Sequence, residues 1–125
     1  MPQDKKVYVL GQNLFFLPRI MTAAKHSGLA MRLTNTKADF WKAYQEQTPA
    51  LVLVDLEGDP DVWPKVLEEL QAQNSETSIV AFGPHTDVKG MELARNLGCE
   101  QVLSKGEFSR DMIKLIAQYA ESAVE

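Results

Sequence analysis

A chain of 125 residues, 45% hydrophobic and 24% charged, has the length and balance of one globular domain rather than a disordered tail. Its net charge is −4, and its lysines and arginines are scattered without a basic run, which argues against nucleic acid as a direct partner. The single cysteine, Cys99, excludes an internal disulfide and, without clustered histidines, gives no zinc pattern; it reads as a small apolar filler near a strand.

Met1-Pro2-Gln3-Asp4-Lys5-Lys6 leads into the first apolar run with no signal-peptide core, and no apolar run is long enough to span a bilayer. A cytoplasmic protein without a membrane partner is therefore expected. Five short apolar runs then alternate with five helical patterns. Val7-Tyr8-Val9-Leu10 is the first run, rich in β-branched and aromatic residues. The first helix ends near His26-Ser27, with Gly28 placed as its C′ residue. Its start is ambiguous: if Asn13 caps it, Pro18 falls in the second turn and removes a hydrogen bond there. Either that helix is distorted, or Gly11 to Leu17 forms a longer loop, with Leu14-Phe15-Phe16-Leu17 expected to pack inward.

The run from Leu29 to Thr34 carries Arg32 and suits a sheet edge. Thr36, with Asp39 three residues on, opens a second helix that buries Phe40, Trp41 and Tyr44. Leu51-Val52-Leu53-Val54 is continuously apolar, as a central parallel strand requires, and ends at Asp55. A third helix follows from about Val62, with Pro64 in its first turn and a stripe of Trp63, Val66, Leu67 and Leu70. Ile79 to Phe82 forms the fourth strand and stops at Gly83-Pro84. Asp87 caps a fourth helix with a stripe of Val88, Met91, Leu93 or Ala94, and Leu97, ended by Gly98. Val102-Leu103 centres a short fifth strand. Ser109 is expected to cap the last helix, with Met112, Ile113, Ile116, Ala117 and Ala120 on one side.

A (βα)5 string with short loops implies a parallel five-stranded sheet covered by helices on both faces. The polar-tinged second and fifth runs suit the edges, which gives the flavodoxin-like order 2-1-3-4-5, a three-layer sandwich spanning residues 1–125. Its crevice lies at the carboxyl ends of strands one and three.

Asp55 ends strand three, and Lys105 ends strand five in Val102-Leu103-Ser104-Lys105. This pairing resembles the receiver domain of bacterial response regulators across essentially the whole chain. Pro49-Ala50-Leu51-Val52-Leu53-Val54-Asp55 is similar to the receiver's third strand, and Ala94-Arg95-Asn96-Leu97-Gly98-Cys99-Glu100 to its approach to strand five. The resemblance implies two acids after strand one that hold magnesium with the phosphoacceptor aspartate. It also implies a Ser or Thr after strand four and a lysine after strand five that bind phosphate oxygens. Asp55 and Lys105 match. The acid pair falls on Gly11 and Gln12, the hydroxyl on Gly83, the aromatic switch position on Val102, and the proline after the lysine on Gly106.

Without the acid pair, Asp55 is the only anionic ligand left from the usual metal set, too little charge for an ion that sheds water reluctantly. Conventional aspartyl phosphorylation is therefore not expected, and neither a cofactor nor a bound metal is expected. A direct Lys105–Asp55 ion pair, holding strands three and five in register, is the expected replacement. The leading reading is a stand-alone pseudo-receiver that binds another signalling or regulatory protein. Its surface would be the outer sides of residues 87–97 and 107–122, or else the apolar loop 14–17, and a homodimer stays open. A rival reading is a small-anion or nucleotide-like ligand in the crevice, held by Asn13, Glu57, His85 and Lys105 near Gly11, Gln12 and Gly83. A third is an atypical phosphoreceiver with Asp55 as acceptor. No nucleophile–base–acid set is present, so an enzyme is not expected. Glu57, Asp59 and Asp61 lack the spacing of a calcium loop and read as solvated loop charges.

Overall fold

The computed structural model describes residues 5–122; Met1–Asp4 of the N-terminal lead-in lie outside the described residues. The elements run β1 (Lys6–Leu10), α1 (Leu17–His26), β2 (Ala30–Leu33), α2 (Lys37–Glu46), β3 (Leu51–Asp55), α3 (Trp63–Ala72), β4 (Ile79–Gly83), α4 (Val88–Asn96), β5 (Gln101–Ser104) and α5 (Lys105–Ser122). All strand pairs are parallel and the order is β2-β1-β3-β4-β5, as the alternation of runs and helices requires.

Successive strand residues face opposite sides, so each central strand serves two cores. Val7, Val9, Leu51, Leu53, Val80 and Phe82 pack with Ile20 of α1 and with Phe108, Met112 and Ile116 of α5. Tyr8, Leu10, Val52, Val54, Ile79 and Ala81 pack on the other side with Phe40 of α2, Trp63, Leu67 and Leu70 of α3 and Ala94 of α4. Every residue of β3 and β4 is buried. The edge strands are exposed or half-buried throughout, and Arg32 of β2 pairs with Glu46 at 2.7 Å. Cys99 packs half-buried against the second core, where burial pushes its thiol up to about 12.

The punctuation residues act largely as their chemistry dictates. Thr36 Oγ1 accepts from the Asp39 N–H at 3.0 Å, and Asp87 Oδ1 accepts from the Gly90 N–H at 3.0 Å. Gly28 and Gly98 follow helix ends at φ +78° and +98°, where a side chain is strained. Among the described residues no helix is long and apolar enough to cross a membrane.

Two expectations need correction, and the open start of the first helix resolves to the loop alternative, with α1 beginning at Leu17. Asn13 does not cap α1. Its carbonyl accepts from the Phe16 and Leu17 N–H groups and its side-chain oxygen from that of Phe15, so it pivots a separate turn. Helix α1 then starts at Leu17, and Pro18 sits in the first turn, where its missing N–H costs nothing. Of the loop residues, only Phe16 packs fully inward; Leu14 and Phe15 are 83% and 66% exposed. Finally, Ser109 is inside α5. The cap is Ser104, whose hydroxyl accepts from the Glu107 N–H at 3.1 Å while Glu107 accepts from the Ser104 N–H at 2.9 Å, a reciprocal capping box. With that start, α5 buries Leu115 and Tyr119, and Ile113 faces out; Val88 and Leu93 of α4 also face out.

Phe16 at the entry to α1, Phe82 of β4 and Phe108 of α5 form one aromatic cluster, with Phe82 and Phe108 stacked at 4.1 Å between ring centroids and 5° between planes. Phe108 is fully buried, so truncation leaves a cavity beside two rings. Phe108→Ala is expected to lower unfolding free energy by about 3–5 kcal/mol in urea titration. A loss below about 1 kcal/mol would show that this stack does not anchor α5.

Candidate functional site

The crevice forms where β1 and β3 end and their chains turn to opposite faces of the sheet. It measures about 560 Å³ and is lined by Gln12, Asn13, Asp55, Glu57, Gly58, Asp59 and Pro60. A smaller cavity of about 20 Å³ adjoins it, bounded by Gly11, Gln12, Asn35, Gly58, Asp59 and Trp63 among others.

Asp55 is the last residue of β3 and only 3% exposed. Its Oδ1 accepts from the Glu57 N–H at 2.9 Å, and its carbonyl accepts from the Gly58 N–H at 2.8 Å, so the carboxyl closes its own turn. Burial raises its pKa, the Glu57 N–H lowers it, the Glu57 charge raises it, and Lys105 lowers it more weakly; the balance is upward.

The expected Lys105–Asp55 ion pair is not formed. Lys105 is the first residue of α5, and its Nζ pairs with Glu57 Oε1. The choice follows from solvation. Glu57 is half-exposed and meets the ammonium with both groups still in contact with solvent, whereas reaching the buried Asp55 would take the ammonium out of water. A pair this exposed contributes about 0–1 kcal/mol. The register of β3 and β5 therefore rests on β4 between them and not on this bridge.

The positions on either side of Asp55 are closed by packing. A Cβ on Gly11 would lie 2.6 Å from Asp55 Cβ, so an acid there requires the backbone or Asp55 to move. Gly11 N–H is itself tied to Asn35 Oδ1 at 3.0 Å. At the end of β4, a Cβ on Gly83 would lie 2.8 Å from Leu56 Cβ and 3.0 Å from its Cδ1. Leu56, 6% exposed, lies where the resemblance puts a phosphate-binding hydroxyl. Val102 is half-buried against the core shared with Met91.

Of the residues expected to contact a ligand, Asn13 and Glu57 line the crevice, while Lys105 stands at its mouth on Glu57. His85 is exposed on the Pro84–Asp87 turn and lines none of the crevice, a correction that follows from Gly83 ending β4 and turning the chain outward. The metal implied by the resemblance does not fit the residues present. Gly11 offers no side chain and no room for one, Gln12 is uncharged, and one oxygen of Asp55 is committed to the Glu57 N–H. Among the described residues no three His, Cys, Asp or Glu side chains group as a metal site. Leu56 escaped sequence reading altogether, since an apolar residue opening a loop gives no signal. Ser104-x-x-Glu107, which sets Lys105 at a helix start, was readable as a capping box.

Comparison with known proteins agrees with this geometry at the level of the fold. The receiver domain of the TMAO respiratory system response regulator TorR superposes with a TM-score of 0.78 at 14% identity, covering 91% of this chain and 94% of that one. A CheY-like receiver domain from Methanospirillum hungatei gives 0.76 at 12%, covering 96% of both. One from Clostridium thermocellum gives 0.74 at 16%, covering 95% and 96%. No family model matches the chain, and no curated protein matches it in sequence. The fold is that of the response-regulator receiver, flavodoxin-like with sheet order 2-1-3-4-5.

Two outcomes test the site. A carboxyl whose folded pKa is raised supplies its stability in full below the ordinary value of 3.8 and loses it as pH rises through the folded value. Asp55→Asn, which keeps an acceptor for the Glu57 N–H, is therefore expected to melt above the parent at pH 7, with the gap closing toward pH 4. A gap unchanged between those pH values rules out burial as its cause. Gly83→Ser is expected to cost about 1–3 kcal/mol by overpacking on Leu56, and less when combined with Leu56→Ala. Strict additivity in that double-mutant cycle would mean Leu56 does not occupy the space.

Proposed function

We propose that this chain is a signalling module of receiver fold that acts as a constitutively folded protein-interaction domain, not through magnesium-dependent aspartyl phosphorylation. The observation that carries the reading is the packing of Leu56 onto Gly83 and of Gly11 onto Asp55, at the two places where phosphate and metal would be held. A phosphoryl group arriving there would meet the Asp55 carboxylate without a metal to offset like-charge repulsion, and Lys105 is already drawn off to Glu57. Anionic ligands are disfavoured on the same ground, because Asp55, Glu57 and Asp59 all line the crevice.

The exposed apolar residues support an interaction role. Leu14, Phe15, Met21 and Ile113 are 52–83% exposed and belong to α1, the loop before it, and α5; α4 offers Val88 and Leu93 at 60% and 40%. Large side chains left in water at this density fit a surface covered by a partner. The partner is read as another regulatory protein.

Amide NMR spectra with magnesium and beryllofluoride, an aspartyl-phosphate mimic, test the reading. No saturable shift at Asp55, Gly83 or Lys105 is expected at millimolar reagent. Saturable shifts there that disappear in Asp55→Asn would sink the proposal and restore Asp55 as a phosphoacceptor.

A further inference from the structure

A groove of about 410 Å³ runs between α1 and α5, on the side of the molecule away from α4. Its apolar lining comes from Pro18, Ala23, Met112 and Ile113. The ionisable groups along it are Arg19, His26 and Arg110, and no acidic side chain lines it, although the whole chain carries a net charge of −4. Arg110 has a carboxylate of its own, Asp111, held through two hydrogen bonds at 2.8 and 2.9 Å. Arg19 has none. Its guanidinium donates to Ser109 Oγ at 2.7 Å and to the Ser109 carbonyl at 3.0 Å, and its Cζ stands 5.3 Å from the Phe15 ring centroid and 5.9 Å from that of Phe16. No ion pair reaches it among the described residues.

Arg19 is thus a permanent cation, fixed in place by neutral partners, at the wall of an apolar groove. Phe15, whose ring lies beside Arg19, is 66% exposed and adds apolar surface next to that cation. We infer that this groove seats an amphipathic helix of a partner protein, with an apolar ridge on the exposed Ile113 and Pro18 and an Asp or Glu flanking that ridge opposite Arg19. Two packed helices leave a furrow that accepts the ridge of a third, and an arginine held by a hydroxyl and a carbonyl keeps donor capacity for a carboxylate. The concave shape favours a helix over a flat lipid surface. This inference rests on the interaction-module reading and names its surface and the chemistry of its partner.

The test uses the full chain and two designed helical peptides with leucines at i, i+3, i+4 and i+7, one flanked by glutamates and its twin by lysines. In amide NMR titration the glutamate peptide is expected to give saturable shifts at Thr22, Ser109 and Ile113, with the lysine twin at least tenfold weaker. Ile113→Asp, at an exposed position that leaves the core intact, and Arg19→Gln should each weaken binding at least tenfold while keeping native spectral dispersion. The inference is overturned by equal affinity for both peptides, no shift at millimolar peptide, shifts confined to α4, or concentration-dependent shifts of the groove without peptide, which would make a second copy the occupant. Selective loss of Leu14 and Phe15 signals on phosphatidylglycerol vesicles, with no response to peptide, would overturn it in favour of a membrane. Failure here leaves the interaction reading intact with a different surface, whereas a beryllofluoride response at Asp55 overturns that reading and leaves the peptide result as it stands.

Discussion

A carboxyl at the end of a fully buried strand has few ways to be satisfied, and the way Asp55 is satisfied sets the layout of the crevice. Pairing it with Lys105 would bury an ammonium as well, at a desolvation cost that Coulomb attraction offsets only in near-ideal geometry. Accepting a hydrogen bond from the Glu57 N–H two residues on requires no second buried charge. Once the carboxyl turns back on its own loop, Gly11 closes over its Cβ, Glu57 is carried outward to meet Lys105, and Leu56 is directed across the sheet onto Gly83. Each of these follows from one short turn at the end of β3.

The same economy explains why glycine stands at both sensitive positions. Gly11 and Gly83 have ordinary negative φ, so conformational freedom is not the reason for them. They are there because a neighbour occupies the space a Cβ would take. At Gly11 the neighbour is the Cβ of Asp55, and at Gly83 it is an apolar side chain shared with the core around Val54 and Trp63.

The fold could be read from the chain because its signals are local. A continuous apolar run as short and valine-rich as Leu51–Val54 suits a central strand, and Thr36, Asp87, Gly28 and Gly98 mark helix ends by their own backbone chemistry. The start of α1 was ambiguous because Asn13 caps a turn with the same atoms it would use to cap a helix. The start of α5 was misplaced because Ser109, another good capping residue, stands five positions after Ser104, and only the reciprocal Glu107 separates them. The site was less legible. Which residues flank Asp55 followed from strand order, but where its oxygens point did not. Leu56 was invisible, since its role depends on the distance between the ends of β3 and β4, which no pattern along the chain encodes.

Leu56 on Gly83, and a β-branched valine at position 102 where receivers carry a ring, also bear on regulation. A ligand shifts a conformational equilibrium only by its unequal affinity for two packings of the same chain. Valine has one strongly preferred side-chain rotamer in many settings and no ring to swing between pocket and solvent. If the crevice has a single packing, information cannot be written into this molecule as shape. On the proposed interaction reading it is carried by amount instead: occupancy of a partner tracks the ratio of free concentration to Kd, a graded response rather than a switch.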